Sequence, residues 1–291
     1  MIEEPDRHRS MPVTLAAPAK LTLSLRVTGV RADGYHELQA EMVTVDLADI
    51  LEIQPGVGVT IADEVVGGLG LGNLGLEGDR IVARALALVG RSESVRIRKR
   101  IPVGAGLGGG SADAAAVLRW AGLRDLEAAG RLGADVPFCV DGGRAMVTGV
   151  GDVLEPLDFE HRRFVLLLPP FGVETPRVYA TWDALAARSS RSHSIAGDHN
   201  DLEEAALIVA PDLVGWRDAL GNVTGKRPRL AGSGSTWFVE GSLEDLRLGD
   251  RPFLTLRGSH APVIETRSVP PGWEPAEGAV RPRFSPGASD E

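Results

Sequence analysis

Residues 101–120, IPVGAGLGGGSADAAAVLRW, place five glycines within the seven positions Gly104–Gly110. Glycine weakens regular structure because it gives the unfolded chain extra freedom. A cluster this dense therefore marks a backbone that bends unusually or must be approached closely. The strand-like VRIRKRI precedes it and an alanine-rich helical segment follows, so the chain must build a strand–loop–helix unit here. One or two glycines suffice for a turn. A Walker A loop needs Lys directly after its last glycine, and Gly110 is followed by Ser111. Gly104, Gly106 and Gly109 satisfy G-x-G-x-x-G, but the dinucleotide fold needs a second strand ending in an acid about 20 residues on. The stretch there, LRDLEAAG, reads as helix. The pattern that remains is a loop that wraps phosphates with backbone N–H groups and aims a helix N-terminus at them. A plain turn without a ligand is the alternative. Small Ala114, Ala115 and Ala116 let such a helix pack closely.

The net charge of −9 argues against a broad nucleic-acid surface but leaves room for a local basic pocket. Cys139 is the sole cysteine, which removes intrachain disulfides and cysteine-rich metal sites and fits a reducing compartment. No apolar run is long enough to span a membrane, and the polar first residues lack the core of a signal peptide. The expectation is a soluble cytoplasmic protein. With 291 residues the chain accommodates two domains, expected at 12–155 and 156–269. Residues 1–11 and 270–291 are expected to be disordered tails, with Met11 an alternative start. Lysine is scarce: 28 arginines stand against Lys20, Lys99 and Lys226, so each lysine raises the question of why Arg does not serve.

Residues 13–53 read as strands, broken by the Asp-Gly turn in RADGYHE. VRIRKRI alternates, with Val95, Ile97 and Ile101 on one face and Arg96, Arg98 and Arg100 on a face expected to be solvated. Ser111 is expected to cap the helix after the glycines, and a second helix is expected over 124–132. FVLLLP at 164–169 reads as a buried strand. Helices are expected around 176–187, in DLEEAALIVAP, in DLVGWRDAL and, as a short one, in LEDLRLG. SSRSHSIAGDHN reads as a polar loop, and LAGSGSTWFVEG as a glycine turn feeding a strand.

The loop PVGAGLGGGSADAAAVL resembles the P-x-x-x-G-L-G-G-G-S-[SA] motif of the GHMP kinase superfamily. APAKLTLSL, RADGYHEL, LGADVPFCV, TPRVY, NDLE and AGSGST resemble that superfamily in the same order, over about residues 14–265. The three-glycine form resembles the branch that acts on a cytidylyl alcohol of isoprenoid precursor synthesis. The resemblance implies a two-domain α+β fold, with an N-terminal domain like domain 2 of ribosomal protein S5 and a ferredoxin-like C-terminal domain. It implies transfer of the ATP γ-phosphoryl group to the 2-hydroxyl of 4-diphosphocytidyl-2-C-methyl-D-erythritol. It assigns catalysis to Lys20 and Asp135. ATP phosphates fall to Pro102, Val103, Gly104, Ala105, Gly106, Leu107, Gly108, Gly109, Gly110, Ser111 and Ala112. The cytidine half falls to Tyr35, His36 and Tyr179, the last stacking on the cytosine.

The residue types agree. Such a transfer needs a base or orienter for the hydroxyl and positive charge for the phosphoryl group. A compact ammonium approaches both a carboxylate and a hydroxyl better than a guanidinium does. The plainer alternatives are a snorkelling strand lysine for Lys20, a helix N-cap for Asp135, core packing for Tyr35 and Tyr179, and an exposed turn for His36. Ser233, Gly234 and Ser235 form either a second wall of the site or a simple turn. Mg²⁺ is expected to ride on the phosphates, with Ser111 a candidate ligand. Thr22 stands where the superfamily branch has Asn, and Asp79 and Arg80 stand where it has another Asn; both bear on substrate choice. A kinase for homoserine- or mevalonate-like alcohols, or a non-catalytic ligand-binding relative, stays open. Expected partners are the two small molecules, with no nucleic acid and no membrane, and the protein is expected to be a monomer or weak homodimer.

Overall fold

A computed structural model of the protein describes residues 12–66, 69, 77–187, 199–249 and 251–275. The sequence expectations for residues 1–11 and 276–291, and most of the polar loop before His199, lie outside the described residues.

The first sheet is organised by one long strand. β1 (Val13–Val30) and β2 (His36–Pro55) form an antiparallel hairpin. The other edge of β2 takes β4 (Glu93–Lys99) along Ile50–Pro55 and β5 (Arg144–Gly149) along Leu38–Val43. β3 (Gly58–Asp63) runs parallel to β4, and β6 (Val153–Pro156) closes the far side on β5. Helices α1 (Glu77–Leu88), α2 (Gly109–Trp120), α3 (Leu126–Gly130) and α4 (Val136–Asp141) belong to this half. Ala112, Ala114, Ala115 and Ala116 are buried in α2, and their small side chains let it pack closely against α1, α4 and β1. Arg119 near the end of α2 donates to the carbonyls of Cys139 and, at 3.1 Å, Ala16, fastening the helix to α4 and β1.

The second sheet has the order β10 (Phe253–Leu256), β11 (Ser259–Arg267), β7 (Arg163–Leu167), β9 (Trp237–Glu240), β8 (Arg229–Leu230), every neighbour antiparallel. Helices α5 (Thr175–Ala186), α6 (Glu203–Val209) and α7 (Leu213–Thr224) complete it. Phe164 through Leu167 have no exposed surface, so both faces of β7 are covered, and each such side chain contributes about 1.5–3 kcal/mol of burial. The architecture is the expected α+β pair of sheets, with the chain passing from one to the other after β6.

Several local expectations change. Ser111 does not cap α2; Gly108 is the N-cap and its carbonyl accepts the Ala112 N–H at 2.8 Å, so the helix begins at Gly109 and Ser111 lies inside its first turn. The helix expected over 124–132 is confined to α3, capped by Asp125 through the Ala128 N–H at 3.0 Å. LEDLRLG forms a single turn instead of a helix: Ser242 and Asp245 bond to each other's backbone N–H groups as a capping box and the Leu246 N–H reaches the Ser242 carbonyl at 3.0 Å, but Arg247, at φ +55°, turns the chain before a second turn can form. The arginine face of β4 is not simply solvated: Arg98 donates to Glu64 at 2.7 Å and Arg100 is 9% exposed. The hydrogen bond from Arg98 holds the Glu64 carboxyl below its ordinary pKa, even though burial opposes this. Pro271, assigned to the tail by the sequence, packs its ring against Gly143.

The two halves are stitched through residues 199–201. Leu25 of β1 donates to the His199 carbonyl and accepts from Asp201, both at 2.9 Å, and Asp201 Oδ2 accepts from Val27. Buried Asn200 donates from Nδ2 to the carbonyls of Leu230 and Gly232 at 2.9 and 2.7 Å and accepts from the Leu202 N–H. Asn200→Ala leaves two carbonyls without that donor and is expected to lower stability by about 2–4 kcal/mol in urea unfolding; a loss below about 0.5 kcal/mol would show that the stitch carries little.

Candidate active site

The site begins at an irregularity in the hairpin. The β1–β2 register shifts between Pro18 and Lys20, and irregularities of this kind re-aim side chains. The Lys20 N–H donates to the Leu107 carbonyl of the glycine loop at 3.1 Å. Its side chain, 6% exposed, ends with Nζ 3.3 Å from Asp135 Oδ2 and 3.2 Å from Thr22 Oγ1. Thr22 is itself buried, so its hydroxyl acts as an acceptor for the ammonium and keeps its own hydrogen to donate elsewhere. Asp135 sits at the N-cap position of α4 without making a side-chain capping bond; its carboxylate goes to Lys20 instead and stays 32% exposed.

The glycine loop is held by its carbonyls. Gly104 O accepts from Val173 at 3.0 Å and Ser235 at 3.2 Å, Ala105 O from Thr236 at 3.2 Å, and Leu107 O from Lys20. Carbonyls engaged in this way leave the amide side of the loop for a ligand. Two glycines are required by position. At Gly106, φ is +76° and a Cβ would collide with the Ala231 carbonyl. At Gly108, φ is +69° and a Cβ would lie 2.8 Å from Lys20 Cγ, so the lysine stem rests on this glycine. Gly110, by contrast, has room: a Cβ there would meet only Ile81 at 3.6 Å. α2 starts directly behind the loop with no side-chain cap and no acid in its first turn. The first amides of a helix have no intrahelical partner. Uncapped amides with no nearby acid fit a nucleotide phosphate. Among the described residues no cluster of three His, Cys, Asp or Glu side chains could hold a metal.

Ser233, Gly234 and Ser235 form a turn whose Gly234 and Ser235 lie against this loop, Ser235 donating its N–H to the Gly104 carbonyl. Gly232 is close enough that a Cβ there would lie 3.3 Å from Lys20 Nζ, and Ser233 Oγ pairs with Thr175 Oγ1 at the start of α5 at 2.7 Å.

The aromatic residues divide. Tyr179 on α5 packs against His36 on β2 with ring centroids 4.6 Å apart and planes tilted by 39°. Trp182 meets the same imidazole edge-on at 5.7 Å, and Asp183 Oδ1 lies 2.8 Å from His36 Nε2. His36 is thus not an exposed turn residue but a link between the two halves. Burial, with the Asp135 charge adding to it, pushes the Tyr179 hydroxyl well above its ordinary pKa, so it stays neutral. Tyr35 does not join this group. It is 64% exposed in the β1–β2 turn, where its carbonyl accepts from the Arg31 N–H at 2.8 Å. Core packing does not explain Tyr35, and among the described residues it makes no ring contact.

Sequence reasoning gave no role to Trp182, Asp183, Thr175 or Asn200. Asn200 and Thr175 lay within stretches already singled out, NDLE and TPRVY. Asp183 lies one turn beyond Tyr179 on the same helix face, a spacing that could have been read.

The model for the GHMP kinases N terminal domain matches residues 80–143, which include the glycine loop and Asp135. A curated relative, the 4-diphosphocytidyl-2-C-methyl-D-erythritol kinase of Paracoccus denitrificans (strain Pd 1222), is 38% identical over 243 residues, 77% of this chain and 85% of that protein. A crystal structure of 4-(cytidine 5'-diphospho)-2C-methyl-D-erythritol kinase matches with a TM-score of 0.62 at 31% identity, over 88% of this chain and all of that one. A crystal structure of mevalonate kinase shares the fold at 14% identity, with a TM-score of 0.54 over 89% of this chain and 99% of that one. With the lysine in contact with both the loop and the aspartate, and relatives above 30% identity along most of its length, the chain belongs to the 4-diphosphocytidyl-2-C-methyl-D-erythritol kinase family of the GHMP kinases.

Proposed function

We propose that the chain transfers the γ-phosphoryl group of ATP to the 2-hydroxyl of 4-diphosphocytidyl-2-C-methyl-D-erythritol. The observation that carries this reading is the Lys20–Asp135 pair, 3.3 Å apart, with the lysine stem lying on Gly108 of the phosphate loop. The loop amides and the α2 N-terminus hold the phosphates of ATP. Asp135 accepts the hydroxyl proton as the alcohol oxygen bonds to the γ-phosphorus and the bond to the ADP oxygen breaks. Lys20 keeps the carboxylate oriented and offsets the negative charge that develops on the entering oxygen. Mg²⁺ brought in on ATP would neutralise phosphate charge, and Ser111 in the first turn of α2 is the candidate side chain that would hold it. Thr22 donates its free hydroxyl hydrogen to the polyol.

His36 and Tyr179 receive the cytidine half, with the tyrosine supplying the stacking face and Asp183 fixing the imidazole. Tyr35, exposed on the turn, covers the base from the solvent side. This assignment separates the substrate from homoserine and mevalonate, which carry no flat base. An intact Lys–Asp pair argues against a non-catalytic relative, and the ring pair is near enough to it for the Asp135 charge to act on Tyr179. A cytoplasmic setting fits the single free thiol of buried Cys139, whose pKa burial pushes up to about 12. Among the described residues no helix is long and apolar enough to cross a membrane.

Phosphoryl transfer measured with the cytidylyl alcohol, homoserine and mevalonate as acceptors tests the reading: the cytidylyl alcohol alone is expected to be phosphorylated efficiently, and equal or better use of homoserine or mevalonate overturns it. Asp135→Asn is expected to cut turnover by ~10²–10⁴-fold while ATP still binds, and Lys20→Arg is expected not to restore full activity; near-normal turnover in Asp135→Asn removes that residue from the chemistry. Tyr179→Ala is expected to weaken the cytidylyl substrate ~5- to 150-fold with little change in ATP affinity, whereas Tyr179→Phe stays mild. If Tyr179→Ala lowers the melting temperature yet binds the alcohol normally once folded, the ring serves packing alone. Gly108→Ala forces both a strained φ and a collision with the Lys20 stem, so kcat is expected to fall up to ~10²-fold in a protein that remains folded by circular dichroism.

A further inference from the structure

One buried charge cluster lies outside the residues used above. Val95 and Ile97 point inward from β4, and the next inward position is Lys99. Lys99 is 3% exposed, and Asp49 and Asp113 are completely buried. Lys99 Nζ donates to Asp49 Oδ2 and, at 2.8 Å, to Asp113 Oδ2. Asp49 Oδ1 accepts the backbone N–H groups of Arg100 at 2.5 Å and Ile101 at 2.9 Å, the last residues before the phosphate loop. Asp113 is on α2, one turn after Gly109. A Cβ on Gly109 would lie 3.0 Å from Lys99 Nζ and 3.1 Å from Ile101 Cγ2, so the ammonium also lies directly against the first helical residue. One end of the loop is therefore fixed by Asp49 and the other by Lys99 and Asp113, with the ammonium joining them.

Apolar side chains of similar volume fill such a space at lower desolvation cost, and replacing buried ion clusters with them is often neutral or stabilising. Packing alone does not account for three ionisable groups here, all the less because Asp113 Oδ1 is buried without a partner. Burial, with the Asp49 charge adding to it, pushes the Asp113 carboxyl up to about 8 against the pull of Lys99, while the two acids together outweigh burial at Lys99 and keep it an ammonium. What charges supply and apolar groups do not is directional bonding to both loop ends at once. We propose that Lys99, with Asp49 and Asp113, is a positioning cluster for the phosphate loop, setting the separation of its ends and the aim of the α2 amides. The lysine acts through the loop and touches neither reacting group. The use of lysine here fits the assignment, since a compact ammonium reaches both acids while lying directly against Gly109.

This inference rests on the kinase reading. The test is the affinity for ATP by calorimetry, the KM of the cytidylyl alcohol and the melting temperature, on the full chain and on Lys99→Met and Asp113→Asn. Positioning predicts that Lys99→Met binds ATP ~10–100-fold more weakly, with the alcohol KM unchanged at saturating ATP. Asp113→Asn, which keeps the Lys99–Asp49 pair, is expected to lose less, in the same direction. A folded variant of either kind with wild-type ATP affinity and only a lower melting temperature overturns the proposal, and so does an equal loss for ATP and alcohol. If Lys99→Met does not fold, the ATP affinity of Asp113→Asn decides. If the unmodified protein itself binds no ATP, the kinase reading fails and this inference falls with it, a result that needs no variant to recognise.

Discussion

Lys20 is attached to the glycine loop twice, and the site depends on that attachment. Its backbone N–H holds the Leu107 carbonyl, and its aliphatic stem lies on Gly108. The first contact ties the loop to β1, and the second leaves the ammonium nowhere to go but toward Asp135 and Thr22. Any residue other than glycine at 108 would push the stem away. The glycine loop and Lys20 are therefore one construction rather than two neighbours. The register shift after Pro18 is the local cost, because a regular ladder would have committed this stretch to β2.

The second half of the chain closes the construction from above. Gly106 is pressed against the Ala231 carbonyl, Ser235 and Thr236 donate to loop carbonyls, and Asn200 holds the 230–232 segment in place. These bonds engage the carbonyls of Gly104 and Ala105 in the glycine loop. The same half carries α5, which brings Tyr179 and Asp183 to His36 on the first sheet. The loop and the His36–Tyr179 pair are thus set by different contacts between the same two halves.

Much of this was legible in the sequence. The density of glycine before an alanine helix pointed to the strand–loop–helix unit, and the resemblance of several stretches, in order, to the GHMP kinase superfamily implied the two-domain α+β fold. Lys20 and Asp135 came from the resemblance of APAKLTLSL and LGADVPFCV to the superfamily; the scarcity of lysine and the acid before Val136 and Pro137 agreed with that assignment but did not make it. The cap of α2 was misread because Ser111 has the right chemistry for capping, while the decisive property was the left-handed backbone of Gly108, which carries no side-chain signal. The arginine face of β4 was read as solvated because alternation reports which face a residue is on and not what waits there; Glu64 arrives from beyond β3. Tyr35 and Tyr179 look alike in sequence, but only tertiary packing separates the exposed ring from the one on His36. Asp49, Lys99 and Asp113 are 50 and 14 residues apart along the chain, and no local pattern joins them.

The account treats Lys20 and Asp135 as one unit: the ammonium is useful because it holds and balances that carboxylate, and the carboxylate is placed because the ammonium is there. Groups that act as a unit are strongly non-additive when removed. The most direct measurement is a double-mutant cycle on kcat with Lys20→Ala, Asp135→Asn and the double variant, each shown to bind ATP. The account predicts that the double variant is about as slow as the slower single variant. Multiplying losses, with the double variant slower by the product of the two single effects, would contradict it and assign the two residues to independent steps.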